Sequence, residues 1–156
     1  MYTPQTESNL YETDFYAWTQ KQVFLLRDHQ WSQLDLTNLI EEIEALGKQQ
    51  RQELRNRLSI LLAHLLKWEY QPPYRSRSWL ATIRVQRRDI ARLIQDNPSL
   101  KPYLDEAVRE AYENAKDLAM GETNLSLATF PLECSYNLAE IFDNYFYPGE
   151  PSQLNE

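Results

Sequence analysis

LTNLIEEIEALGKQQRQELRNRLSILLAHLLKWEY (Leu36–Tyr70) is the stretch on which the fold turns. Leu36, Leu39, Ile40, Ile43, Leu46, Leu54, Leu58, Leu61, Leu62, Leu65 and Trp68 recur with a period near 3.6 residues, the signature of a helix with one apolar face. The stripe crosses Gly47 without losing phase. The spacing therefore predicts one long helix, or two nearly collinear ones, over about 35–70. Pro72-Pro73 ends it, because proline lacks the backbone donor and disfavours helix at the residue before it.

Reading outward from that helix gives shorter ones on either side. Residues 1–9 are polar and are expected to be loose. Thr13-Asp14 signals a helix start ahead of Phe15, Trp18, Leu25 and Leu26, with an end near His29. After the loop QPPYRSRS (71–78), Ser78 is the expected cap of a third helix over 79–96 with the stripe Leu80, Ile83, Ile90, Leu93 and Ile94. Asn97-Pro98 pairs a cap with proline at a first helical position, and Pro102 sets that turn apart from a fourth helix carrying Leu104, Val108, Ala111, Ala115 and Leu118. Gly121 is the expected stop. A connector, a short amphipathic piece at Leu138–Tyr145 and a tail from Pro148 complete the chain. The expected fold is all-α: an up-and-down four-helix bundle with a short C-terminal helix and an extended tail. One domain over 1–156 is expected, with an ordered core at about 10–147.

Composition narrows the functional classes. Three glycines in 156 residues argue against a turn-rich β architecture. The net charge of −7 opposes non-specific binding along nucleic acid, whose affinity comes from neutralising phosphates. One cysteine, Cys134, excludes an intrachain disulfide and a multi-cysteine metal site. No basic region followed by an apolar run opens the chain, and no apolar run is long enough to span a bilayer. A cytoplasmic protein with no membrane association is expected.

The segments YETDFYAWTQKQ (11–22), LIEEIEALGKQQRQELRNRL (39–58), LLAHLLKWEYQP (61–72), RSRSWLATIRVQRRDI (75–90), NPSL (97–100) and FPLECSY (130–136) together resemble the DUF29 family, a group of mainly cyanobacterial and other bacterial proteins. They are collinear and cover nearly the whole chain. The resemblance implies an all-α helical bundle and implies no enzyme chemistry, cofactor or catalytic residue.

Four constellations carry possible chemistry. Arg57 and His64 lie seven positions apart, about 20° from the same radial direction, and so share one flank of the long helix. The spacing resembles the loose Arg-and-His motif of HEPN-type ribonucleases, in which histidine takes a proton and arginine stabilises phosphoryl charge without a metal. The plainer reading is a half-buried histidine beside an arginine paired to a carboxylate. Glu41, Glu42 and Glu44 form an acidic cluster that suits a divalent cation or, more simply, a solvated helix face. Arg75, Arg77, Arg84, Arg87, Arg88 and Arg92 concentrate six basic residues within eighteen positions. Arg84, Arg88 and Arg92 recur every fourth residue, with Tyr74 and Trp79 nearby, which fits RNA or a phosphorylated ligand as well as a stripe paired to surface acids.

Arg87 stands apart, because it interrupts the apolar series of the third helix where a hydrophobe is expected. A buried arginine needs partners, and Asp14, Glu42 and Glu53 are the candidate carboxylates for a polar network joining the first three helices. The leading expectation is a non-enzymatic binding or interaction protein of unknown partner, self-association included. A HEPN-like ribonuclease or RNA-binding module built on His64, Arg57, Arg84 and Arg88 is the alternative.

Overall fold

A computed structural model describes residues 10–155; the expectation for residues 1–9 lies outside them. The elements are α1 (Phe15–Arg27), α2 (Leu36–Tyr70), α3 (Arg77–Asp96), α4 (Leu104–Glu122) and α5 (Leu138–Phe142), joined by 3₁₀ turns, with no strand among the described residues. This is the all-α helical bundle that the periodicity predicts. The chain divides into two compact units, Met1–Gln49 and Gln50–Glu156. Helix α2 gives residues 36–49 to the first and 50–70 to the second.

The first unit is held by caps and one buried tryptophan. Asp14 caps α1 by accepting from the Ala17 amide at 3.0 Å. The helix ends in a Schellman pattern, with Gln30 N–H on the Leu25 carbonyl and His29 N–H on that of Leu26. His29 takes the left-handed position (φ 57°) that glycine usually occupies. Trp18 and Leu25 are buried, and the Trp18 indole donates to Asp35 at 3.0 Å. Asp35 in turn receives the Asn38 side chain at 2.8 Å, and its own amide donates to the buried Gln22 side chain at 2.9 Å.

The second unit contains the main core. Leu54, Leu58, Leu61, Leu62, Leu65 and Trp68 of α2 meet Ile83, Ile90 and Leu93 of α3 and Ala107, Ala111, Tyr112, Ala115 and Ala119 of α4. Alanines along α4 let its backbone approach the leucine face of α2 closely. Each leucine so buried contributes roughly 2 kcal/mol of transfer free energy. Phe130, Tyr136 and Ile141 close the core from the connector and α5.

Three local expectations need correction. Ser76, not Ser78, caps α3: it has extended backbone, and its Oγ accepts from the Trp79 amide at 3.2 Å. Ser78 is already inside the helix. Gly121 does not stop α4, which runs through it to Glu122, and Gly149 is the glycine with positive φ. The end is made by Thr123, whose hydroxyl donates to the Ala119 carbonyl at 2.7 Å and accepts from the Leu125 amide at 3.2 Å. Finally, the apolar stripe of α2 is buried only from Leu54 onward; Leu36, Ile40, Ile43 and Leu46 are exposed.

Candidate functional site

Helix α3 turns two faces to two environments. Ile83, Arg87, Ile90 and Leu93 point inward, while Arg84, Arg88 and Arg92 follow each other along an exposed flank. A cavity of about 1060 Å³ opens over that flank. Its walls include Arg84, Arg87, Arg88 and Arg92 of α3, Lys101 in the turn before α4 and Leu104 at its start, Phe142, Asn144, Tyr145 and Tyr147 around α5, and Leu154 and Asn155 of the tail. Among the described residues no acidic side chain lines it. None of Arg84, Arg88, Arg92 and Lys101 is ion-paired among the described residues. Of the other cations in this unit, Arg55, Arg57, Lys67 and Lys116 are ion-paired, and among the described residues Arg51, Arg77 and Arg109 are not. In a chain of net charge −7, this is a concentrated region of positive potential.

Arg87 is the hinge of the arrangement. It is buried, and burial pulls its pKa below the usual arginine value, although a guanidinium remains protonated there. Within its own unit the candidate carboxylate Glu53 pairs with Arg57, and main-chain carbonyls meet Arg87. Its Nε donates to the Ile141 carbonyl at 2.8 Å, and Nη2 donates to the carbonyls of Phe146 at 2.8 Å and Glu140 at 3.3 Å. Main-chain carbonyls satisfy the cation without the desolvation of a second charge. The Tyr147 ring lies 5.3 Å from the guanidinium, and Asp143 is within electrostatic reach. Nη1 is buried with no hydrogen-bond partner, and so is Oδ1 of Asn155, another wall of the same cavity.

The other arginines of the cluster divide by role. Arg75 fastens the C-terminal segment as Arg87 does, donating to the carbonyls of Trp68 at 2.7 Å, Glu150 at 2.7 Å and Pro148 at 3.4 Å. The backbone passes so close there that a side chain at Gly149 would meet Glu69 main-chain atoms at 3.3 Å. Arg77 is exposed in the first turn of α3. Trp79 stands against the Lys67 ammonium at 4.6 Å rather than in the basic cavity.

The remaining sequence candidates sit elsewhere. Asp14 is the cap of α1, and Glu42 accepts the Tyr11 hydroxyl at 2.5 Å, a bond that pushes the Tyr11 pKa up to about 12. Among the described residues no three metal-ligating side chains converge, at Glu41, Glu42 and Glu44 or anywhere else. Arg57 is paired with Glu53 at 3.0 Å and with Asp89 at 3.1 Å, so two carboxylates offset its single charge. A phosphate brought to it would meet a net negative neighbourhood. His64 is half-buried, its Nδ1 2.9 Å from the Ile60 carbonyl, and burial holds its pKa below the ordinary value. Cys134 is half-buried with its thiol pushed up by burial, the opposite of an activated nucleophile.

Several cavity residues had no distinguishing signal in the sequence. Lys101 is one lysine in a proline-flanked turn, and Asn155 lies near the chain end. The aromatic run FDNYFYP reads as a cover for the bundle, and Tyr147 and Phe146 serve that way against Trp68 and Tyr136. Tyr145 does not: its side chain is 91% exposed.

The fold and site together define a helical-bundle protein with a basic, partly apolar cavity. No helix among the described residues is long and apolar enough to cross a membrane. The family model described as "Domain of unknown function DUF29" matches residues 10–147, nearly the whole chain, and the chain belongs to that family. No curated protein and no solved structure matches it.

Proposed function

We propose that this DUF29 chain is a binding protein of the bacterial cytoplasm, and that its site is the cavity over α3, which takes a phosphorylated ligand. One observation carries the reading. Four arginines and a lysine line a cavity of about 1060 Å³ with no acid among its described walls. Guanidinium groups match phosphate oxygens in geometry as well as charge. The cavity's described walls hold no histidine, cysteine, aspartate or glutamate. The single free cysteine suits a reducing compartment.

The test is calorimetric titration with pyrophosphate and with ATP at low salt. Binding that weakens at least tenfold in the double variant Arg84→Glu/Arg88→Glu supports the reading. Both side chains are exposed, so the fold should survive the exchange, and circular dichroism checks that it does. Absence of binding, or binding indifferent to the two substitutions, rejects it.

A further inference from the structure

The cavity has more than a cationic wall. Arg84, Arg88 and Arg92 recur at four-residue steps on one helix, so the row spans about 12 Å from first to last. A single phosphate cannot meet all three, and a row of that length asks for phosphates spread along the ligand. From other elements the cavity takes apolar and aromatic side chains, Leu104, Phe142 and Tyr145 among them. Tyr145 is 91% exposed, and its amide is held by the Asp143 side chain at 2.8 Å. A tyrosine fixed at its backbone but uncovered at its ring is a free stacking surface.

We infer that the ligand consists of two or more nucleotides joined through phosphate, with phosphates along the Arg84–Arg88–Arg92 row and a base stacked on Tyr145. This rests on the phosphate-site reading above and adds the ring and the spacing. A free dinucleotide and a single-stranded oligonucleotide share that chemistry.

Four probes separate the possibilities by titration: pyrophosphate, AMP, 5′-phosphorylated diadenylate and an eight-nucleotide oligoadenylate. The diadenylate should bind at least tenfold more tightly than AMP or pyrophosphate. Tyr145→Ala should weaken it about tenfold, in line with one stacked base, and Tyr145→Phe should retain it. Because the ring is exposed, neither change threatens the fold. An octamer that binds far more tightly than the dimer, and loses roughly tenfold between about 50 and 200 mM salt, identifies a strand as the ligand. Equal affinity of dimer and octamer identifies a small dinucleotide. Pyrophosphate as tight as diadenylate, or diadenylate binding unchanged in Tyr145→Ala, overturns the nucleotide inference while the phosphate site stands. Failure of all four probes overturns both.

Discussion

The two halves of α2 carry the same apolar rhythm and meet opposite fates. In the second half Leu54, Leu58, Leu61, Leu62 and Leu65 are fully buried, whereas in the first half Leu36, Ile40, Ile43 and Leu46 are each more than half exposed. A period of 3.6 reports that a helix has an apolar face; it does not report what covers that face. Over residues 50–70, α3 and α4 cover it with isoleucines and a run of alanines. The first unit instead concentrates its burial on Trp18, Gln22 and Leu25 of α1 and ties them by hydrogen bonds to Asp35.

That contrast predicts a graded series of stability effects. Leu62→Ala removes a fully buried side chain and should cost about 2–5 kcal/mol in urea unfolding. Ile43→Ala, made on the exposed half of the same helix, should change stability by no more than about 0.5 kcal/mol. A loss of several kcal/mol at Ile43 that depends on protein concentration would break the comparison and show that another chain covers the stripe.

Arg87→Met should come next. It removes the donors from three carbonyls and should cost about 3 kcal/mol, at roughly 1 kcal/mol for each lost bond. Arg75→Met gives the parallel case, with two carbonyls at the other end of the same C-terminal segment and a third on Trp68 of α2. Protease cutting near residues 140–150 should accelerate in both variants. An Arg87→Met protein as stable as the parent would mean that the segment holds without its clamp. In the first unit, Asp35→Ala loses the Trp18 and Asn38 bonds together and should cost about 1–2 kcal/mol, the range of a lost helix cap.

Sequence reasoning reached the helices because their signals are local. Period, proline and caps lie within a few residues of what they determine, so α2 from Leu36 to Tyr70 and the break at Pro72 are where the spacing puts them. Ser76 and Ser78 show the margin of that method: both are plausible caps, and only backbone conformation chooses. The site was half legible. The arginine stripe was visible as a spacing, and Arg87 as a polar residue in an apolar series. Its partners were not, because main-chain carbonyls carry no residue signature, and they come from residues more than fifty positions away. The same holds for Tyr145 and Asn155, which reach the cavity only through the path of the C-terminal segment.

Acid sensitivity should separate the two units by pH, and this is the smallest effect expected. His64, in the second unit, is held below its ordinary pKa first by burial and then by the Lys67 charge, against the Ile60 carbonyl and Glu122, which favour protonation. The unfolded chain therefore binds a proton at this position before the folded one does. Stability is fully present above about pH 6.5, the unfolded value, and declines as pH falls from there toward the folded value. Asp35, in the first unit, is opposed by burial but stabilised as a carboxylate by Asn38 and Trp18, and its net pKa is lowered. Its contribution is present above about pH 4 and is lost only as pH falls further. Urea midpoints followed from pH 8 to pH 5 should thus fall in the parent and fall less in His64→Gln. The indole N–H signal of Trp18, bonded to Asp35, should stay in place across that range and shift only in stronger acid. Identical pH profiles for the parent and His64→Gln would show that His64 is solvated in the folded chain, and would remove the distinction between the two windows.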